Sequence, residues 1–384
     1  MMTHVFVVDD KTFKCHLENM FAGTGAGEKQ SPFLINANYQ NTKKNANGTT
    51  APSESGLVSM ISDISKVQRG DKIIFYLQAT KKHQGMFFGV FQAKSSAFFD
   101  EANNQNYLYT ETEKYLTYRI LIEPFKVFEQ GITEHEYLDK LTGKKTPYEL
   151  CWTLIYRKLK GNRGCTTITD HEYQDLINKL EQKNNWKFLK GTAFTYESNS
   201  FSIALAKSYK PYTGRQDSID IANRLIYKMG KNYAFESHLQ AYVIQNINNT
   251  HFNKLLKPLP NTSYWLGNEV ACGVGMQRMD ILLIQEDIAT KTVYFKIIEL
   301  KDESPYEETI TNQLPWYLEW LNDYIVPHYA SKKIKIIPCV IANGKPSESF
   351  KKTAQTAKFS IACEPLEYIG YALVNGNIVF SKYF

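Results

Sequence analysis

The stretch from Arg278 to Lys301, RMDILLIQEDIATKTVYFKIIELK, decides the fold of the second half of the chain. Asp280 begins an apolar run, a polar turn follows, and a second run alternates apolar side chains up to Glu299. Because successive side chains of a strand point to opposite faces, Glu299 and Lys301 share one face. The stretch therefore predicts two neighbouring strands, with an acid on the first and an acid and a base on the second.

This charged group suits the hydrolysis of a phosphodiester bond. Asp280 and Glu299 can hold a hard divalent cation, and the backbone carbonyl of Leu300 can serve as a third oxygen ligand. Lys301 would orient or deprotonate the attacking water, or stabilise the negative charge that develops. We expect Mg²⁺ as the ion, with Mn²⁺ as a substitute. The opposing interpretation is that Glu299 and Lys301 form a solvated cross-strand patch.

The flanking sequence predicts an α/β domain with a mixed sheet. The predicted elements are helices at about 217–229, 231–247 and 305–326, and strands at about 278–285, 292–301 and 333–342. The Asn375-Gly376 pair favours a two-residue type I′ turn, so we expect a hairpin in the last part of the sequence.

An Asp, 18 intervening residues and a Glu-X-Lys sequence resemble the PD-(D/E)XK nuclease superfamily, the fold of many restriction endonucleases. The segments RMDILLI and IIELK look most like its NucS-like branch, although Met279 stands where Pro is common. The resemblance implies a further acid on the preceding helix, for which Glu236 is the candidate. It also implies a Gln and an aromatic residue on the following helix, which Gln313 and Tyr317 match.

Alternatives stay open for these three residues. Glu236 is equally well read as a surface acid, and Gln313 and Tyr317 as packing residues. Pro315 interrupts the predicted helix, which puts the geometry of Gln313 in question.

The first half of the chain is predicted to be rich in strands. Alternating runs occur at 72–78, 86–92 and 116–122, and a short helix is expected at 56–66. A helix at 169–182 is signalled by a Thr169–Glu172 capping box and an apolar stripe. A polar, Asn-rich loop is expected at 36–55.

Residues 67–101 and 115–133 resemble the PUA-like group that includes EVE and YTH domains, through a Gly-Asp turn, two strands and an RILIEP strand. The resemblance implies a small β-barrel with flanking helices, and several of its members bind a modified base that is flipped out of the nucleic acid. Trp152 and Tyr76 are candidates for the walls of such a pocket, although each is more often a core residue.

A basic loop in the first half is a candidate for contact with DNA phosphates. The sequence YRKLKGNRG contains four cations beside two glycines, which permit close approach to a backbone phosphate. The cations are Arg157, Lys158, Lys160 and Arg163. A basic loop is otherwise an ordinary solvated surface.

Bulk properties agree with this interpretation without requiring it. At 384 residues two domains are expected, and we assign 1–190 to recognition, 191–215 to a linker and 216–384 to the nuclease. The net charge of +6 permits binding to a polyanion. Six scattered cysteines without a CxxC pair indicate reduced thiols. With no signal peptide or membrane span in the sequence, we expect a cytoplasmic protein that does not bind membranes.

The sequence therefore predicts an Mg²⁺-dependent DNA endonuclease of restriction type acting on double-stranded DNA. Its first domain would choose the site, and the chosen base could be a modified one reached by base flipping. A homodimer on DNA is expected because a double-strand break needs two active sites. Two alternatives stay open: a reader of modified nucleic acid that does not cleave, and an RNA-directed nuclease.

Overall fold

The computed structural model of the chain describes residues 1–25, 32–40, 53–100, 107–139, 146–150, 164–272 and 277–384. The chain forms two compact units, the first made of Met1–Gly143 with Thr153–Asp220 and the second of Lys144–Trp152 with Ile221–Phe384. A short piece of the first half therefore belongs to the second unit. Within that unit, His328 Nε2 donates a hydrogen bond of 2.9 Å to the carbonyl of Tyr148, which ties this piece down.

The first unit is built on an eight-stranded sheet. Its strands are β1 Thr3–Val8, β2 Phe21–Thr24, β3 Lys72–Leu77, β4 Met86–Ala93, β5 Phe98–Phe99, β6 Tyr118–Pro124, β7 Ile132–Thr133 and β8 Cys165–Ile168. The order is β2-β6-β4-β3-β1-β8, with β5 paired to β6 and β7 paired to β4. The predicted runs at 72–78, 86–92 and 116–122 are confirmed within two residues.

The expected closed barrel is corrected to a curled sheet that forms half a barrel. A register shift between Ile73 and Ile74, where β3 meets β4, adds to the strand twist that curls the sheet. Closure would require β2 to pair with β8, and the ladders of the described residues contain no such pair. The unit is therefore mixed α/β around an open, curved sheet.

Five helices of the described residues cover or flank this sheet. They are α1 Asp10–Asn19, α2 Pro32–Ile35, α3 Glu54–Ser65, α4 Tyr109–Thr112 and α5 Asp170–Lys183. The capping box before α5 is confirmed, because Thr169 Oγ1 accepts from the Glu172 amide and a Glu172 carboxylate oxygen accepts from the Thr169 amide at 2.8 Å. Leu176, Ile177 and Leu180 of α5 are buried, as the apolar stripe predicts.

Residues 191–215, expected to be a linker, instead contain a hairpin of the first unit. Its strands are β9 Phe194–Glu197 and β10 Ser202–Leu205. Tyr196 is buried and its ring lies 5.0 Å from that of Phe13 on α1. The apolar residues that anchor this hairpin are separated by Gly, Ser and Thr, so the sequence pattern looks like a connection.

The second unit contains a six-stranded mixed sheet whose order in space follows the order in the chain. Its strands are β11 Trp265–Ala271, β12 Arg278–Asp287, β13 Thr292–Leu300, β14 Lys333–Asn343, β15 Glu367–Val374 and β16 Asn377–Lys382. The pairs β13–β14 and β14–β15 are parallel, and the other three pairs are antiparallel. The three predicted strands are confirmed. So is the final turn, because Asn375 and Gly376 both have the positive φ that a type I′ turn needs.

Five helices of the described residues flank this sheet, and the sequence predicts the first, second and fourth of them. They are α6 Ala222–Gly230, α7 Glu236–Asn246, α8 Thr250–Leu256, α9 Leu314–Tyr324 and α10 Glu348–Thr356. The expected helix at 305–326 is a π-helical turn, Thr309–Gln313, that continues into α9. Pro315 lies in the first turn of α9, directly after the π-helical turn, so the change in helical hydrogen bonding falls next to the residue that has no amide hydrogen.

Among the described residues, no helix has both the length and the apolar character needed to cross a membrane.

Candidate functional site

Three acidic residues stand side by side on β11, β12 and β13. The ladder pairs on either side of Glu269 set it opposite Asp280. The ladder between β12 and β13 begins at Ile281 and Ile298, so the next step of the same register sets Asp280 against Glu299. Directly opposed residues on neighbouring strands lie about 5 Å apart. The sheet therefore carries a row of three carboxylates, here called the acid row: Glu269, Asp280 and Glu299.

Asp280 is at the centre of the acid row. Its Oδ2 atom accepts a hydrogen bond of 2.7 Å from the amide of Leu300, which fixes the carboxylate against the end of β13. Burial, followed by the negative charges of Glu299 and Glu236, raises the pKa of Asp280 well above its usual range. The ionised form of Asp280 is therefore unfavourable at this site when no cation balances its charge.

Glu299 is the most deeply buried member of the acid row, with 3% of its surface exposed. Its Oε1 atom accepts a hydrogen bond of 2.7 Å from Lys301 Nζ. Its Oε2 atom is buried and has no hydrogen-bond partner among the described residues, which is costly for a carboxylate oxygen. Burial raises the pKa of Glu299, and the positive charge of the neighbouring Lys301 opposes part of this rise.

Lys301 follows the last residue of β13 and is half-buried. Burial alone would lower the pKa of its ammonium group, but the charges of Glu299, Glu236 and Asp280 outweigh burial and raise it. Lys301 therefore stays protonated at neutral pH. The structure thus brings three of the predicted site residues together, Asp280, Glu299 and Lys301, with Leu300 between the last two.

Glu236, the acid predicted on the preceding helix, is the first residue of α7 and joins the same group of charges. Burial raises its pKa, Lys301 opposes that shift, and the charges of Asp302 and Glu299 add to it. Such mutual effects require these side chains to lie near one another in the second unit.

The two residues predicted on the following helix differ from each other. Tyr317 is buried on α9, and its hydroxyl donates a hydrogen bond of 2.9 Å to the carbonyl of Arg278. Burial and the charge of Glu299 raise the pKa of Tyr317. Gln313 lies in the π-helical turn before α9, and the hydrogen bonds of the described residues include none from it to Asp280 or Glu299. Its expected role is therefore not supported by a contact.

Sequence reasoning missed three further residues of the site. Gln240 on α7 donates from Nε2 to Glu269 Oε1 at 3.2 Å and to the carbonyl of Asp280 at 3.1 Å. Arg278 forms an ion pair of 2.8 Å with Glu269 Oε2. The available signal was the polar pair Asn268-Glu269 inside the otherwise apolar run WLGNEVAC.

The donor chemistry of the acid row fits a divalent cation, but no metal group is already assembled. Among the described residues, no three Asp, Glu, His or Cys side chains converge as a metal-binding group. Two cationic side chains, Lys301 and Arg278, are bonded to Glu299 and Glu269 instead. The unpartnered Oε2 of Glu299 supplies an oxygen of the kind that Mg²⁺ prefers. Asp280, Glu299 and the carbonyl of Leu300 are the groups that would hold such an ion.

The first unit gives less information about its predicted binding residues. Tyr76 is buried on β3, and its hydroxyl donates a hydrogen bond of 2.8 Å to Glu134 Oε2, so it belongs to the packed interior. Trp152 and the basic quartet lie outside the described residues. The quartet consists of Arg157, Lys158, Lys160 and Arg163.

Comparisons with known proteins give distant likenesses in fold. No protein-family profile matches the sequence, and no curated protein matches it. Among solved structures, a hypothetical protein from Leishmania major is 11% identical with a TM-score of 0.27, covering 48% of this chain and 96% of its own. The human THYN1 protein, in a complex with 5-methylcytosine containing DNA, is 8% identical with a TM-score of 0.27, covering 47% of this chain and 98% of its own.

The protein PSPTO5229 from Pseudomonas syringae is 12% identical with a TM-score of 0.27, covering 46% of this chain and 98% of its own. The PD-(D/E)XK resemblance stays a prediction from sequence.

Proposed function

We propose that the chain binds DNA and that its second unit is an Mg²⁺-dependent endonuclease of restriction type, for which Mn²⁺ can substitute. The first unit would choose the site, and a modified base flipped out of the duplex is the target that we would test first. The observation that carries the proposal is the acid row with Lys301 beside it: three neighbouring carboxylates, of which Glu299 is buried and has an oxygen without a hydrogen-bond partner among the described residues.

The roles of the side chains follow from their contacts. Asp280, which accepts from the Leu300 amide, and Glu299, whose Oε2 atom has no hydrogen-bond partner among the described residues, would hold the ion together with the Leu300 carbonyl. When bound, Mg²⁺ supplies neutralisation of the phosphoryl oxygens and acidifies a water molecule. Lys301, bonded to Glu299, would orient or deprotonate the attacking water, or stabilise the negative charge that develops on the phosphate.

The test is cleavage of matched plasmids that are unmodified, cytosine-methylated or hydroxymethylated, with Mg²⁺ and with EDTA. The variants are Glu299→Gln, which keeps the size of the side chain but loses its charge, and Lys301→Met. The matched control is Glu348→Gln on α10, an acid whose side chain is 87% exposed. We expect cleavage by the wild type and the control, and a loss of at least about a hundredfold in both site variants.

One outcome would contradict the site assignment, and two others would distinguish what the first unit recognises. Cleavage retained by both site variants would show that the catalytic residues lie elsewhere. Cutting of the methylated plasmid alone would assign base reading to the chain, whereas equal cutting of all three would assign a sequence-specific enzyme.

A second candidate is a reader of modified nucleic acid that does not cleave. It is favoured by the ion pairs that already occupy Glu299 and Glu269, because a protein without a metal would keep its acids bonded in this way. Binding of methylated DNA without Mg²⁺, together with no turnover on DNA or RNA, would support it. Turnover of RNA alone would instead support an RNA-directed nuclease.

A further inference from the structure

Glu269 differs from an ordinary strand residue in its backbone. Its φ of 49° lies in the left-handed region, which a side chain other than Gly adopts at a cost of about 1–3 kcal/mol. The ladder of β11 and β12 is interrupted at this one position and resumes on both sides of it. The sheet thus accommodates an unfavourable conformation where Glu269 meets Asp280.

Two contacts place the carboxylate of Glu269 within the acid row. Gln240 donates from one amide nitrogen to Glu269 Oε1 and to the carbonyl of Asp280, which ties the two strands together. Asn268 Nδ2 donates to Gln240 Oε1 at 3.2 Å and so holds the bridging amide in place. Glu269 therefore has a supported position next to Asp280, as a ligand residue requires.

Arg278 balances the other oxygen of Glu269, and it does so from the surface. Its side chain is 46% exposed, whereas that of Glu269 is 23% exposed. An exposed ion pair contributes little stability, so Arg278 can leave it at low cost. Once Arg278 leaves, three carboxylates stand in a row, and the part of the chain that the structure describes still offers the buried Glu299 Oε2 no hydrogen-bond partner. A cation is the group that this arrangement then lacks.

We infer that Glu269 is a further ligand for a divalent cation at the acid row, and that Arg278 leaves Glu269 to contact a phosphate of the bound DNA. The inference rests on the proposed function and deepens it. Before substrate binds, Arg278 occupies the place of the cation. When cation and phosphate bind, the cation replaces Arg278 at the carboxylate of Glu269. The guanidinium group of Arg278 then binds the phosphate, which it can do through two parallel hydrogen bonds.

The experiment measures Mn²⁺ binding to the full chain by calorimetry without DNA, and DNA binding in a separate titration, for the wild type and four variants. Glu269→Gln keeps the acceptor for Gln240 and is expected to weaken Mn²⁺ binding by about tenfold or more. Arg278→Gln releases Glu269 and is expected to strengthen Mn²⁺ binding severalfold while weakening DNA binding. Glu299→Gln is the reference for loss of a ligand, and Glu348→Gln is the control. Thermal melting in EDTA confirms that each variant is folded.

The outcomes separate this inference from the proposed function. If Glu299→Gln loses Mn²⁺ but Glu269→Gln binds it like the wild type, the role of Glu269 is refuted and the proposed function stands. If Arg278→Gln leaves both Mn²⁺ and DNA affinity unchanged, the exchange of partners is refuted. If the wild type binds no Mn²⁺, both the inference and the proposed function fail.

Discussion

Replacing Asp280 by Asn should make the metal-free protein more stable while destroying its site. Asn has nearly the same shape, and its side-chain oxygen can still accept the hydrogen bond that the Leu300 amide donates to Asp280 Oδ2. What the substitution removes is a buried negative charge between two others. The expected change in stability is therefore an electrostatic one.

The magnitude follows from the geometry of the acid row. Two unit charges about 5 Å apart at an effective dielectric constant of about 20 repel each other by roughly 3 kcal/mol. Lys301, 2.7 Å from Glu299, offsets part of this repulsion. We expect the free energy of unfolding of Asp280→Asn to rise by about 2 kcal/mol in EDTA, which corresponds to roughly 4–8 °C for a unit of this size.

The assay is thermal unfolding with EDTA and again with saturating Mg²⁺. The wild type should melt higher with Mg²⁺ because an ion that binds only the folded state stabilises it. Asp280→Asn should have a higher melting temperature than the wild type in EDTA, and Mg²⁺ should not raise it further. Glu348→Gln should have the melting temperature of the wild type in both conditions. A lower melting temperature of Asp280→Asn in EDTA would refute the idea that the carboxylates repel one another, and a retained Mg²⁺ effect would refute the assignment of Asp280 as a ligand.

Three further predictions concern stability, each to be measured by denaturant unfolding. Burial lowers the pKa of His16 to about 3, so the folded state binds a proton at this residue less readily than the unfolded state does. The free energy of unfolding of the wild type therefore falls as the pH drops below 6.5. Between pH 7 and pH 5, His16→Leu should lose about 2 kcal/mol less of its free energy of unfolding than the wild type loses. Arg119→Met should cost about 3–5 kcal/mol, because it leaves Asp100 buried without its cation, and a smaller loss would show that Asp100 finds another partner. Gly376→Ala should cost about 1–2 kcal/mol through backbone strain alone, since φ is 78° and no atom lies within 4 Å of the new methyl group; an unchanged stability would mean that the turn can switch type.

Local patterns were enough to predict most of the second unit. The apolar alternation before Glu299 fixed β13, and the Asn375-Gly376 pair fixed the last hairpin, because both signals act over a few residues. The hairpin at 194–205 was missed because its strands are short and its anchoring residues pack against α1, which is far away in the sequence. The open sheet of the first unit was missed because closure depends on pairing between distant strands.

The candidate site could be predicted in part for the same reason. Asp280, Glu299 and Lys301 lie on two consecutive strands, so their spacing in sequence reports their proximity in space. Glu269 and Gln240 come together only through the register of β11 and the packing of α7, which a single sequence does not encode as a spacing. Gln313 fits the motif by position, but the π-helical turn that holds it gives it no contact with the acids.

The strands of the second unit follow one another in space in the order in which the ribosome makes them. Each new strand therefore finds its partner already synthesised, and no strand has to wait for a distant one. The three carboxylates are all present once β13 emerges, before β14, β15 and β16 have been translated. The repulsion among these acids then acts on a sheet in which three of the five strand pairs are still missing. A divalent cation captured at that stage would assist folding during translation, before the finished protein meets any substrate.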